Sequence, residues 1–384
     1  MAAIKGESRL TFWEATSIII GHGVGSGILS VPFLAAHNSI REVLLILLFC
    51  YLFNLVLHLI IAELSYNNAG AQFISCFDRE LFSGKFKKIF TWAAFALLGL
   101  SVLMNVSSFL TGAANVFNEW FGLNSTLGML LFYILGAGVV FFGMKLVGVC
   151  EKYAVAAMVL VMSLLFVFTL TGQTQPLPSA FGGAKNALAL LSVISFSLSA
   201  VMSTPQVVKG LEGDVRRIRL SIAAGLALNA ALILLVTITT LLGVGAPDVT
   251  ERGALVDLSA RLGGWVSIVG YVFSLLALAT SFWANTLNLR DIVHEQTKWN
   301  KNLSWLCASL PCLALALLSS LSFVKFTMFA SAIQVVTGLG IILAYHLSRK
   351  RVGRAEIVGR FGTLPFQILV FVCTMLATLG SFMS

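Results

Sequence analysis

The chain has 384 residues, 58% of them hydrophobic and only 11% charged, with a formal net charge of +9. A mean hydropathy of +0.94 excludes a soluble globular domain and requires a multi-span membrane protein. The positive balance does not mark a nucleic-acid binder, because the basic residues sit in short connections between apolar runs rather than on one face or tail.

A helix that crosses a bilayer needs about 20 apolar residues. Eleven stretches qualify: 12–36, 43–66, 90–117, 126–143, 150–171, 186–208, 220–244, 264–289, 303–321, 326–347 and 364–383. They predict an all-α integral membrane protein of 11 transmembrane helices with no sizeable soluble domain. With the N-terminus in the cytoplasm, the external connections hold Arg41, Lys185, Arg252, Arg261 and Lys325, and every other Lys and Arg is cytoplasmic. That bias sets a cytoplasmic N-terminus and an external C-terminus. The first stretch is too long for a cleavable signal peptide and lacks a small-residue cleavage site. Cys50, Cys76, Cys150, Cys307, Cys312 and Cys373 fall mostly in apolar runs without CxxC spacing, and read as buried thiols.

In the middle of the first stretch, Gly21-His22-Gly23-Val24-Gly25-Ser26-Gly27 puts four glycines into seven residues, and Pro32 follows. Each glycine costs a helix up to about 1 kcal/mol relative to alanine. Loosened backbone at membrane depth survives only where protein buries it or where it lines a cavity. The stretch is therefore predicted to be a helix broken at a binding site. An outer half starting near Gly25 would aim the amides of Gly25, Ser26 and Gly27 into the gap, at the positive end of a helix dipole that suits a carboxylate. An inner half ending near Gly21 would leave the carbonyls of Gly21, His22, Gly23 and Val24 for a sodium ion or an ammonium group. Anion-binding amides beside cation-binding carbonyls fit an α-amino acid.

Span six places Ser195, Phe196, Ser197, Leu198 and Ser199 at the matching depth. Its serines either contact the ligand or back-bond to the preceding turn. Ser199-Ala200-Val201-Met202-Ser203-Thr204-Pro205 reads against Ser26-Gly27-Ile28-Leu29-Ser30-Val31-Pro32 with three identities. Copies five spans apart are inverted in the membrane, and interrupted helices at matching places in two halves point to a secondary-transporter site. The predicted organisation is a 5+5 inverted repeat with broken helices 1 and 6: residues 1–180, the inverted residues 181–350, and one extra C-terminal helix in 351–384. Span eight reads Ala277-Leu278-Ala279-Thr280-Ser281-Phe282-Trp283-Ala284-Asn285. Its adjacent hydroxyls with a carbonyl one turn earlier form a neutral, all-oxygen set for a hard monovalent cation; the same pair also serves as packing glue in membrane helices.

The break from Gly21 to Pro32, with Thr280-Ser281-Phe282 running into Leu287-Asn288-Leu289-Arg290-Asp291, resembles the amino acid/auxin permeases, closest to the bacterial hydroxy- and aromatic-amino-acid permease branch. That branch belongs to the amino acid–polyamine–organocation superfamily, with the fold of the bacterial leucine transporter. The resemblance covers spans one to ten in layout and is specific in spans one and eight. It implies a sodium site on the carbonyls of Gly21, Val24 and Ala277 and the hydroxyls of Thr280 and Ser281. It also implies a substrate carboxylate on Gly25, Ser26 and Gly27, with the ammonium on carbonyls around His22 and Ser195. Trp283 and Asn285 depart from the small residues usual there, which bears on substrate size. The branch is described as proton-coupled while the oxygen ligands fit sodium, so the coupling ion stays open between the two.

Among the remaining polar groups, His22 is an intramembrane ionisable residue, which gates, carries a proton or contributes backbone alone. Near the cytoplasmic end of span two, His58 precedes Glu63, which reads as a brace or as a gate pair with a loop cation. Glu14 either pairs with a cytoplasmic Arg at an inner gate or snorkels to the interface. Asn105, beside Ser107 and Ser108, faces the substrate or makes an interhelical hydrogen bond. The candidate substrate-binding residues are His22, Gly23, Gly25, Ser26, Gly27, Asn105, Ser195, Phe196, Ser199 and Asn285. No Walker loop, HExxH or nucleophile elbow appears, so neither an enzyme nor an ATP-driven pump is expected, and no cofactor beyond sodium as a coupling ion. The expected activity is secondary active import of a neutral, aromatic or hydroxylated amino acid by sodium or proton symport through alternating access. The expected setting is a plasma membrane, the bacterial inner membrane, with the amino acid and lipid as partners and no nucleic acid. The alternative is a non-transporting membrane amino acid receptor, against which the short connections count.

Overall fold

The computed structural model describes residues 9–25, 27–251, 253–319, 321, 323–353 and 356–380; for 323, 324 and 327–335 it describes the backbone. In chain order the helices are α1 (Phe12–Gly23), α2 (Gly27–Ala36), α3 (Ile40–Asn67), α4 (Phe73–Glu80), α5 (Lys87–Phe121), α6 (Ser125–Phe141), α7 (Met144–Thr171) and α8 (Gly183–Ser197). A 3₁₀ turn (Val201–Ser203) leads into α9 (Thr204–Gly210), and then come α10 (Val215–Val244), α11 (Ala254–Leu262), α12 (Trp265–Thr297), α13 (Lys301–Leu318), α14 (Phe323–Val352) and α15 (Leu364–Gly380). There is no strand among the described residues.

Local chemistry starts these helices. Thr11 and Ser39 form capping boxes with Glu14 and Glu42 at α1 and α3. Asn124, Asp214 and Asn300 accept an orphan amide at the first turns of α6, α10 and α13. Seven helices among the described residues are long and apolar enough to cross a bilayer: α3, α5, α7, the span running through α8 and α9, α10, α12 and α13. α1 and α2 form a pair bent by 58°. The fourth and eleventh predicted stretches are occupied by α6 and α15, of 17 residues each, and the tenth by α14, of 30.

Two predicted boundaries are corrected. Span five starts at Met144 rather than residue 150, behind Gly143 at φ 92°. Lys145 and Glu151 are therefore helical, and Glu151 lies about two turns inside α7. Span eight continues past residue 289 to Thr297, so Arg290 is no loop residue. It is buried, donates to Asp291 at 2.9 Å and to the Val140 carbonyl of α6 at 3.2 Å.

The lipid-facing side is legible from exposure. Leu44, Leu45, Leu48, Phe49 and Leu52 of α3, and Leu160, Leu164, Val167 and Phe168 of α7, leave large apolar side chains uncovered by protein at helical spacing. Contiguous apolar surface of this kind marks a membrane face. Inward-facing residues build three apolar clusters: one on α5, α12, α13 and α14, one around α2, α8 and α10, and one where α1 meets α7, α9 and α10.

Polar ties fix the end of the bundle where basic residues gather. Glu14 pairs with Lys145 of α7, at 2.6 Å, rather than with an Arg. Among the described residues Glu63 has no cation partner. Its fully buried carboxylate accepts the successive backbone N–H groups of Glu356, Ile357 and Val358, between α14 and α15. Arg219 of α10 donates to the carbonyls of the same segment, and Tyr66 donates to Glu356 at 2.9 Å. The sequence offered no signal for this clasp, because its donors are main-chain amides. The six cysteines are free thiols, four of them buried. Glu63→Gln keeps the volume of the side chain but removes charge-assisted acceptors, and should destabilise the protein by about 1.5–3 kcal/mol, read as a lowered thermal midpoint in detergent.

Candidate functional site

The site begins where α1 stops. Val24 still donates its N–H to the Ile20 carbonyl at 2.8 Å, but Gly25 turns back and donates to the Gly23 carbonyl at 2.8 Å. The helical ladder is thus interrupted after Gly23 and resumes at Gly27. α1 ends two residues later than Gly21, the break opens at Val24 and Gly25, and Ser26 lies outside the described residues. Two expected free groups are consequently engaged: the Gly25 amide and the Gly23 carbonyl hold one another. Pro32 sits inside α2 rather than closing the gap.

The second interruption lies in the span through α8 and α9. α8 ends at Ser197, residues 198–200 are irregular, and the 3₁₀ turn carries the chain into α9, with Pro205 in its first turn. Side chains of neighbouring helices take up the freed main-chain groups, as they must at membrane depth. Asn229 of α10 donates to the Ser197 carbonyl at 2.7 Å. His58 of α3 accepts the Ala200 N–H on Nε2 at 2.9 Å while Nδ1 donates to the Asn54 carbonyl at 2.7 Å, which fixes its tautomer. Asn288 of α12, from the motif at 287–291, donates to the Met202 carbonyl at 2.6 Å.

The two interruptions touch. A Cβ on Gly23 would overlap Asn229 Nδ2 and lie 2.9 Å from the Ser197 carbonyl oxygen. A Cβ on Gly27 would lie 2.7 Å from Ser197 Oγ and 3.1 Å from the Phe196 ring. Glycine admits the Ser197 main chain and the Asn229 amide at Gly23, and the Ser197 and Phe196 side chains at Gly27. His22 crosses the same seam, its Nδ1 2.8 Å from Ser203 Oγ.

Beside the seam lies a cavity of about 400 Å³. His22, Gly23, Gly25, Gly27, Asn105, Ser195, Phe196, Ser199 and Asn285 all line it, so the structure brings every described candidate together at one place. Phe53 and Asn54 of α3, Phe109 of α5, Thr337 of α14 and Thr374 of α15 are also in the wall. Sequence reading missed these because they sit on unbroken helices, where periodicity does not say which face meets a cavity. Trp283 is not among the lining residues, whereas Asn285 is, with Asn105 Nδ2 3.5 Å from its Oδ1. The N-terminus of α2, at Gly27, and the C-terminal ends of α1 and α8 meet at this cavity. Their dipoles favour an anion at the first and a cation at the other two.

The residues named for the coupling cation also converge. Ser281 Oγ lies 3.5 Å from the Gly21 carbonyl oxygen, and the Cβ position of Gly25 is 3.5 Å from Ser281 Oγ. Thr280 Oγ1 donates to the Ala277 carbonyl at 3.0 Å. Val24 and Ala277 are buried in one apolar cluster. One residue of this neighbourhood went unnoticed in the sequence. Glu151 of α7 packs its carboxylate against Gly21, where a Cβ would overlap Oε2. Its signal was an acidic residue beside an apolar run, masked by the late start assigned to span five.

A model of the tryptophan/tyrosine permease family matches residues 8–379. Among solved structures, MhsT in complex with L-phenylalanine aligns with a TM-score of 0.70 at 16% identity, over 98% of this chain and 100% of that one. Mhp1, a nucleobase-cation-symport-1 family transporter in a closed conformation with bromovinylhydantoin bound, aligns with a TM-score of 0.65 at 13% identity, over 100% of this chain and 94% of that one. Both carry the leucine-transporter fold, and at these identities the likeness speaks to fold alone. No curated protein sequence matches. Gly23→Ala should force the two interruptions apart, with a lowered thermal midpoint and at least tenfold weaker amino acid binding, measured by ligand-induced thermal stabilisation of the purified protein.

Proposed function

This chain belongs to the tryptophan/tyrosine permease family, and on that premise we propose that it imports a neutral aromatic or hydroxylated amino acid by cation symport. It is a multi-pass membrane transporter of amino acids and no enzyme. The observation that carries the finer reading is the cavity of about 400 Å³ between two helices interrupted side by side. Its size lies in the range of small-molecule pockets, and its polar groups are those a zwitterion needs. The substrate carboxylate sits at the α2 N-terminus, at Gly27. Its ammonium meets the carbonyl ends at His22 and Ser195. The side chain extends toward Phe53, Phe109 and Phe196, with Asn105 and Asn285 available to a hydroxyl or ring N–H.

The coupling cation binds among Gly21, Val24, Ala277, Thr280 and Ser281, and Ser281 also lines the substrate cavity. Residues 1–180 and 181–350 act as inverted five-helix repeats with α15 outside them, making 11 spans when α6, α14 and α15 cross the bilayer. Both interruptions then lie at the repeat interface, around which two bundles rock to give alternating access. The N-terminus is cytoplasmic and the C-terminus external in a bacterial inner membrane, by the distribution of Lys and Arg.

The deciding experiment is uptake into proteoliposomes against a panel of amino acids, with sodium and pH varied separately. Saturable uptake and counterflow of an aromatic amino acid are expected; ligand binding without flux would favour a receptor. Gly25→Val should abolish uptake while membrane insertion is unchanged, since the added methyls enter the cavity beside Ser281. Thr280→Ala should weaken the dependence of uptake on the coupling cation, seen as a raised half-saturating cation concentration.

A further inference from the structure

We infer that Glu151 supplies a negatively charged oxygen ligand to the coupling-cation site, and that the ion it holds there is sodium. The inference rests on the symport reading above and adds to it a residue outside the five neutral ligands that the family resemblance implies.

Glu151 is fully buried, and neither carboxylate oxygen has a hydrogen-bond partner among the described residues. It lies against Gly21, and Thr280 Cβ closes on the same point, 2.9 Å from where a Gly21 Cβ would stand. A carboxylate of α7 thus converges with the Gly21 segment of α1 and with Thr280 and Ser281 of α12. The charged and titratable groups of the surrounding helices are engaged elsewhere. Glu14 of α1 holds Lys145, and His22 is on Ser203. Arg290 of α12 holds Asp291, and Glu295 lies 4.0 Å from Lys209. On α10, Arg217 pairs with Asp214 and Arg219 reaches the carbonyls at 356 and 357, while Arg216 is exposed. On α6, Tyr133 meets Ser309, and on α7 Lys152 lies over the Tyr153 ring.

A buried carboxylate without a partner is strongly unfavourable as an anion; it either takes up a proton or is joined by a cation from outside the chain. The donor set around it selects the cation. A carboxylate, a main-chain carbonyl whose one hydroxyl contact is as long as 3.5 Å, and two hydroxyls are hard oxygen donors of the kind that bind an alkali ion. A proton would satisfy one carboxylate oxygen alone, whereas an alkali ion would also draw on the Gly21 carbonyl and the Ser281 hydroxyl beside it. Sodium bound here is neutralised by the protein, so the loaded site carries no net charge into the membrane interior. The ion also links α1, α7 and α12, which is how its presence would be felt by the substrate seam at Gly23.

The test is a sodium titration of purified full-length protein in detergent, with choline replacing sodium at constant ionic strength, reading the thermal midpoint. For the wild type the midpoint should rise with sodium, and for Glu151→Gln the half-saturating concentration should be at least tenfold higher. Glu151→Asp retains the charge on a shorter stem and should respond at an intermediate concentration, which keeps the test readable if the glutamine variant folds poorly. Equal sodium responses in wild type and Glu151→Gln would overturn the assignment. So would a wild type indifferent to sodium between pH 6 and 8, since a proton then satisfies the carboxylate. Substrate counterflow by the wild type is assayed in parallel; its absence would refute the transport reading, whatever the sodium titration gives.

Discussion

The structure depends on one constraint: main-chain groups released from a helix inside lipid have to find partners, because no water is there to supply them. Two helices are interrupted at the same level, and the groups released at Ser197, Ala200 and Met202 each have a specific recipient. Asn229, His58 and Asn288 come from three different helices and converge on residues 197–202. The first interruption is served differently, by a tight turn from Gly23 to Gly25 and by Ser281. These side chains do not simply repair a defect. By tying irregular backbone to regular helices they hold a polar cavity open against apolar packing on every side.

Glycine makes the second contribution. At Gly23 the absence of a side chain lets two main chains meet, at Gly27 it admits the Ser197 and Phe196 side chains, and at Gly21 it admits a carboxylate. The glycine-rich stretch therefore has separate structural reasons at Gly21, Gly23 and Gly27, each of them close approach of a neighbouring group. The energetic cost of placing glycine in a helix is recovered in approach distance.

Much of this was legible in the chain itself. The composition, the apolar stretches and the glycine cluster sufficed for a broken first helix, and the weak likeness of residues 26–32 to 199–205 located the second. The described candidates of spans one and six gather around one cavity because interrupted backbone is a sequence-visible event. The rest was hidden for physical reasons. Hydrogen-bond partners inside the gap depend on the local turn, so Gly25 and Gly23 satisfy one another. Cavity walls on unbroken helices carry no periodic mark, which hid Phe53 and Phe109. Glu151 escaped because hydropathy averages blur a helix start by two turns, and Glu63 because its partners are amides that every residue possesses.

The clasp around Glu63 bears on how the molecule is assembled. It joins a residue near the start of the chain to three amides almost 300 positions later. Loop closure over such a separation is slow relative to local helix formation. The connection into the last helix therefore locks late, after α3 is in place. Until then a naked carboxylate stands at the rim of the bundle, and a chain truncated before residue 356 would keep it so.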